Sequence, residues 1–338
     1  MRIGVAYDLK EFHQEDPSLP LDIHEEFDIE ETIESIEKAL YKKFDWIVRL
    51  GGGKKFLENI QKNNVNFVFN IAEGFGTRSR EAHIPSVLEI LGIPFSGSDP
   101  LTLALTLDKA LTKRVLLAEG ILTPNFFEIN DLIEIKKIEK LLKQKNLKFP
   151  LIVKLSHEGS SMGLRLNSVV KDIFSLKQKT EELISLYREP VLIEEFISGR
   201  EITAGVIGNG KTAECFGMME ISHKRLKNED FIYSLEVKRN WREEVIYTIN
   251  PDMSPEVEKT ISKEAVKIFQ ILKCRDISRI DFRLDQNEKA YFLEINPLPG
   301  LNPDYSDLPM IARGMGIEYD DLILRIVKEA FTRYSIIF

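Results

Sequence analysis

Cysteine is almost missing from this chain: Cys215 and Cys274 are the two, far apart and without the short spacing of a metal-binding pair. A disulfide-built scaffold is thereby excluded, and both thiols are expected as core residues in a reducing cytosol. No apolar run is long enough to span a bilayer. Met1 to Tyr7 reads as a short strand rather than a secretory leader. The expectation is a cytoplasmic protein with no membrane partner. A long basic run is also missing and the net charge is −8, which argues against nucleic acid as the main partner. The five histidines, His13, His24, His83, His157 and His223, lie in unrelated contexts with no nucleophile elbow, so Ser-His-Asp chemistry has no support. There is no internal repeat and no low-complexity tract.

At 338 residues the chain exceeds one ordinary core and implies two or three domains. Arg2 to Tyr7, Trp46 to Leu50 and Phe67 to Ile71 read as strands, and Ile29 to Lys43 carries apolar residues at helical spacing. Strand–helix alternation implies a parallel sheet, with ligands at the carboxyl ends of its strands near Asp8 and Asn70 to Gly76. A turn-rich segment from Leu91 to Pro100 precedes a helix expected from about Thr102 to Glu119. Further strands are expected at Phe149 to Lys154, Val191 to Phe196, Glu201 to Ile207 and Lys211 to Phe216. The class is α/β, with expected domains at 1–100, 101–188 and 189–338.

The most telling stretch is Arg279-Ile280-Asp281-Phe282-Arg283-Leu284 followed by Tyr291-Phe292-Leu293-Glu294-Ile295-Asn296-Pro297-Leu298-Pro299-Gly300. It reads as two adjacent antiparallel strands whose alternation lets Asp281, Glu294 and Asn296 share one face. Three hard oxygen donors suit Mg²⁺, which takes one or two carboxylates together with substrate phosphates. Arg279 is no ligand, but it can stabilise negative charge on a reacting group. Upstream, Ser156 to Gly163 is a small-residue loop after Lys154, able to bring backbone N–H groups close to phosphate. Alone such a loop is more often an ordinary turn. Glu194 ends one strand and Glu201 follows the bend after it, both able to accept hydrogen bonds.

Together these motifs, in order from about Gly92 to the C-terminus, resemble the ATP-grasp ligases and, within them, the D-alanine–D-alanine ligases. The resemblance implies an ATP-grasp fold behind an N-terminal Rossmann-like domain, with a small central α+β domain. It implies that Lys109 and Lys154 contact phosphate, that the Ser160 loop covers it, and that Lys238 reaches the γ-phosphate from a mobile loop. Glu194 and Glu201 would read adenine and ribose, with Phe196, Ile197 and Leu293 completing the nucleotide contacts. Asp281, Glu294 and Asn296 would hold Mg²⁺, two ions being expected and Mn²⁺ a substitute. Arg279 and the backbone near Gly300 would stabilise an oxyanion.

The chain departs from the family where amino acids bind. The glycine-rich loop and glutamate expected after the first strand are replaced by Asp8-Leu9-Lys10-Glu11-Phe12-His13. A His-Gly turn is replaced by Ala72-Glu73-Gly74-Phe75-Gly76, where Glu73 could receive an ammonium group. Arg239 stands where the family has tyrosine, and the family serine falls at either Tyr305 or Ser306. Arg78 and Arg80 could pair with a substrate carboxylate, or be surface charge. The implied activity is an ATP-dependent carboxylate–amine ligase acting on small-molecule amino acids, with D-alanyl-D-alanine the first-choice product and a homodimer the expected assembly. The rivals are an ATP-grasp ligase joining other amino acids or extending a peptide, and a nucleotide-binding protein without turnover.

Overall fold

The computed structural model describes residues 1–12, 19–226 and 231–338, so His13 lies outside the described residues. Three sheets organise the chain. In the first, β1 (Arg2–Ala6) lies parallel between β2 (Trp46–Arg49) and β3 (Phe67–Asn70). Its helices are α1 (Glu30–Tyr41), α2 (Gly53–Lys62) and α3 (His83–Leu91). The apolar spacing on α1 has its expected result: Ile33, Ile36, Ala39 and Leu40 are buried while the glutamates between them face outward or pair.

The helix expected from Thr102 to Glu119 is two helices, α4 (Pro100–Leu107) and α5 (Lys109–Ala118). Asp108 breaks it, leaving the helical region at φ −82° and ψ 93° and accepting the Leu111 N–H at 2.8 Å as the cap of α5. Short polar side chains compete with the helix ladder and favour such caps. The break sets Lys109 in the first turn of a new helix, with its backbone N–H donating to the Ser156 carbonyl.

The second sheet is antiparallel. It comprises β4 (Phe126–Ile129), β5 (Leu151–Leu155), β6 (Val169–Val170) and β7 (Val191–Glu195), in the order β4-β7-β5-β6, with α6 (Ile138–Lys145) and α7 (Ile173–Tyr187). Since β7 lies between β4 and β5, this sheet draws strands from both sides of residue 188. The third sheet runs β10-β9-β8-β11-β12 and is formed by β8 (Arg200–Asn209), β9 (Glu214–His223), β10 (Val245–Ile249), β11 (Arg275–Leu284) and β12 (Ala290–Asn296). Its helices are α8 (Leu235–Arg239), α9 (Trp241–Glu244), α10 (Pro255–Ile271), α11 (Asp307–Gly314) and α12 (Tyr319–Arg333).

Packing fixes which face of the third sheet can carry chemistry. Phe282 and Phe292 are fully buried in a cluster with Ile261, Ala265, Ile268 and Phe269 of α10. Burying one such side chain is worth roughly 1.5–3 kcal/mol, so a one-residue slip, which would turn these rings outward, is strongly disfavoured. Arg279 and Asp281, alternating with Phe282, are thereby held on the opposite face, and Glu294 joins them because the register shift after Asp281 turns β12 over between Phe292 and Glu294. No helix among the described residues is long and apolar enough to cross a membrane, and both cysteines are free thiols, Cys274 buried and Cys215 partly so.

Candidate active site

Strands β11 and β12 pair antiparallel with Asp281 opposite Glu294 and Arg279 opposite Asn296. A register shift after Asp281 leaves Leu293 as the extra residue of β12. The Arg279 guanidinium binds Asp281 through Nε at 3.1 Å and Nη2 at 2.9 Å. It also meets Asp307, at the start of α11, at 3.1 Å and Glu294 at 3.6 Å. From β8, Thr203 donates to Asp281 Oδ1 at 2.9 Å. Burial, aided by Glu294, pushes Asp281 up to about 6 against the pull of Arg279. Burial acts on Glu294 too, but Lys109, Lys154 and Arg279 outweigh it and hold this acid at about 2. Two facing carboxylates with the Asn296 amide beside them make an all-oxygen set on rigid strands, and such a set fits Mg²⁺.

Cations surround this acidic pair. Lys109 Nζ lies 3.8 Å from Glu294 and donates to the Glu158 carbonyl. Lys154 on β5 pairs with Glu194 at 2.6 Å, and Lys113 on α5 meets the other oxygen of Glu194 at 3.2 Å, an ion pair without hydrogen-bond alignment. Lys113 also donates to Thr123 Oγ1 at 2.8 Å and to the Phe292 carbonyl at 3.1 Å. Burial depresses Lys113 to about 8. Lys238, expected on a loop, sits in the short helix α8, where burial and then Arg279 lower its pKa. Glu201 pairs with Arg283 at 2.8 Å, yet burial carries it up to about 7. Arg283 also donates to the Ile197 carbonyl at 2.9 Å and lies over the Phe196 ring at 5.0 Å.

The Ser160 loop is folded over the site. Ser160 and Ser161 adopt φ of 48° and 59°, a left-handed pair that costs about 1–2 kcal/mol per residue and persists only where surroundings enforce it. The segment 19–28 supplies those surroundings: Glu26 accepts the Gly159 N–H, and Asp22 accepts the Gly163 N–H at 3.0 Å. A side chain at Gly159 would run into the Glu26 carboxylate. Ser161 Oγ donates to the Tyr233 carbonyl at 2.8 Å. His157 anchors the loop's start between Asp108 and Glu189, each at 3.4 Å; burial works against its charge, but the two acids raise it to about 9.

Two adjoining cavities result. The first, about 130 Å³, is lined by Lys109, Lys154, Ser160, Glu194, Phe196, Ile197, Glu201, Lys238, Arg279, Asp281, Leu293 and Glu294, so residues spread over nearly 190 positions meet there. The second, about 290 Å³, shares Lys109, Ser160, Lys238, Arg279 and Glu294 with it and adds Glu73, Asn296, Gly300, Tyr305 and Ser306. Ser306 Oγ accepts the Asn302 N–H at 3.0 Å, whereas the Tyr305 side chain is 38% exposed. Arg78 and Arg80 line neither cavity. Arg78 is exposed, 4.0 Å from Asp108. Arg80 is buried behind the wall, its guanidinium engaged by Glu26, by Glu158 at 3.0 Å and by the His157 carbonyl at 2.9 Å.

Sequence reasoning missed several participants. Asp307 lines both cavities and steers Arg279, yet in sequence it is one more acid after a turn. Lys113 is one helical turn beyond Lys109, a spacing that places both on one face of α5. Glu25, Glu26 and Asp28 line the larger cavity; their density in Asp22-Ile23-His24-Glu25-Glu26-Phe27-Asp28 was the available signal. Arg239 donates from Nε to Glu25 at 3.1 Å, tying α8 to that segment.

A family model of the D-Ala D-Ala ligase C-terminus matches residues 116–328. D-alanine–D-alanine ligase of Carboxydothermus hydrogenoformans is 32% identical over 302 residues, covering 88% of this chain and 91% of that protein. The ligase of the same name from Bordetella petrii is 32% identical over 75% of this chain and 73% of its own length. In fold, a solved D-alanine–D-alanine ligase from Bacillus anthracis covers 99% of each chain with a TM-score of 0.75 at 24% identity. Family model, sequence identity and fold similarity agree, and the chain belongs to the ATP-grasp D-alanine–D-alanine ligase family.

Proposed function

We propose that this protein is an ATP-dependent carboxylate–amine ligase that forms a dipeptide through an acyl phosphate, with D-alanine the reference substrate. The supporting observation is the Asp281–Glu294 pair bounded by Arg279 and three lysines at the junction of the two cavities. The smaller cavity would take ATP, with Lys109, Lys154 and Lys238 facing its phosphates and Glu201 its ribose. Glu194 is engaged by two lysines, so in this reading it positions Lys154 while backbone groups near Phe196 and Ile197 meet the base. Asp281, Glu294 and Asn296 would hold Mg²⁺, which when bound offsets phosphate charge during transfer.

The remaining work falls to the protein's own groups. Arg279, fixed by Asp281 and Asp307, presents its charge where the substrate carboxylate and later the tetrahedral oxyanion sit, with Gly300 on the same wall. The Ser160 loop and α8, tied together through Ser161 and Tyr233, exclude water and protect the acyl phosphate from hydrolysis. The amine of the second substrate then attacks the acyl carbon, and inorganic phosphate leaves. We place the reaction in the cytoplasm, where ATP is available. The homodimer rests on the family resemblance, and analytical ultracentrifugation tests it. The second reading, a ligase for other amino acids, draws support from Glu73, Arg239 and the acids of segment 19–28 on the larger cavity.

The test is ADP release by purified protein with Mg-ATP, alone and with D-alanine. Amino-acid-dependent ADP release with a dipeptide found by mass supports the reading. Nucleotide binding without turnover on any amino acid would overturn it in favour of a binding protein.

A further inference from the structure

The larger cavity has an acidic wall that one amino acid ammonium does not satisfy. Glu73 follows β3, and Glu81 lies in the single 3-10 turn Arg80–Ala82; both line the cavity. Glu81 is 6% exposed. Among the described residues neither carboxylate makes a hydrogen bond or an ion pair within 4.0 Å. A carboxylate as buried as Glu81 normally has such a partner, because an unpaired buried charge is costly, and the half-buried Glu73 stands beside it on the same wall. The adjacent cation cannot serve both. Arg80 already holds Glu26, Glu158 and the His157 carbonyl, and Lys109 is turned to the Glu158 carbonyl and Glu294.

Four carboxylates, Glu26, Glu73, Glu81 and Glu158, thus crowd one guanidinium, and two of the four open onto the cavity without a partner. Burial first, and then Glu81 and Glu26, push Glu73 well up; burial pushes Glu81 up to about 8 with the help of Glu26 and against the pull of Arg80 and Lys109. An alanine ammonium brings one charge and leaves the second carboxylate unpaired. The departures from family sequence fall here too, with Glu73 in place of a His-Gly turn.

Resting on the ligase reading above, we infer that the substrate bound at this wall is an amino acid with a basic side chain, its two cationic groups paired with Glu73 and Glu81. In this role Glu81 sets specificity: it would favour a side-chain ammonium or guanidinium over any neutral side chain of equal length, because only the cation recovers the desolvation of the acid.

The experiment measures ADP release with Mg-ATP and a panel of alanine, serine, norleucine, glutamine, ornithine, lysine and arginine, each as D and L forms, offered singly and in pairs. The expected result is kcat/KM for a basic member at least tenfold above alanine and above norleucine. Glu81→Gln, and separately Glu73→Gln, should cut the lysine-to-norleucine ratio at least tenfold, with ATP binding retained as the check on folding. Turnover with alanine at or above the basic members, or an unchanged ratio in both variants, would overturn the inference while leaving the ligase reading intact. ATP binding with no turnover on the whole panel would overturn the ligase reading, and the inference with it.

Discussion

Glu194→Gln is the perturbation whose consequence follows most directly from the geometry. Glu194 is 1% exposed and neutralises two lysines, Lys154 at 2.6 Å and Lys113 at 3.2 Å, the latter fully buried. Glutamine keeps the volume and removes the charge. Removing one partner of a buried ion pair costs about 3–5 kcal/mol, because the other charge is left without compensation. With unfolding entropy near 2 cal/mol/K per residue, a 338-residue chain loses about 1.4 °C of Tm per kcal/mol, giving a drop of about 4–7 °C. The pH dependence is a second signature. Burial holds Lys113 near 8, below the free lysine value, so its folded form is penalised below pH 8 and the penalty is relieved as pH rises toward 10.5. Without Glu194 that penalty grows, so the variant's deficit should be largest at pH 7 and shrink by pH 10. Calorimetry at both pH values reads this. Adding Lys113→Met should recover at least half of the loss at pH 7, since it removes the orphaned cation. A Tm within 1 °C of the parent at pH 7 would refute the reasoning.

Two further outcomes follow. Because His157 is raised to about 9 by Asp108 and Glu189, its contribution is complete below its unfolded value near 6.5 and is lost as pH rises through 9; over that interval it amounts to about 3 kcal/mol. His157→Gln should therefore flatten the stability profile between pH 6.5 and 9 in thermal melts, and a profile as steep as the parent's would contradict the assignment. Arg279 contacts Asp281 and Asp307 together through a planar fork, a geometry that lysine cannot copy. Arg279→Lys should lower kcat by about 10²-fold with nucleotide affinity changed little; a kcat within threefold of the parent would remove Arg279 from the reacting centre.

The parts of this molecule legible in its sequence are those governed by short-range periodicity. On β11 Phe282 alternates with Arg279 and Asp281, so burial of one set exposes the other. On β12 Phe292 and Glu294 are two apart and would share a face in a regular strand, and the bulge at Leu293, which no sequence period announces, is what turns Glu294 toward Asp281. Lys109, Lys154 and Ser160 were reached through motif order, and all three line the smaller cavity. What stayed hidden depends on contacts between residues far apart in the chain. Nothing near Asp22 or Glu26 indicates that they will clasp a loop more than 130 positions away. Arg80 looked like a free cation beside a glycine turn, but folding surrounds it with Glu26 and Glu158. The break at Asp108 was missed because the apolar pattern continues across it, while the capping that starts α5 there is a property of a single side chain.

The central claim is that the Asp281–Glu294–Arg279 junction couples ATP cleavage to joining an amine and a carboxylate. The most direct measurement is ADP release with product mass for the parent and for Asp281→Asn, under saturating Mg-ATP and the best amino acid pair. The account predicts a dipeptide formed in equal amount to ADP by the parent, and at least a 10²-fold slower rate in the variant with its fold retained. Equal rates in the two proteins, or ADP release independent of amino acids and without a peptide product, would contradict it.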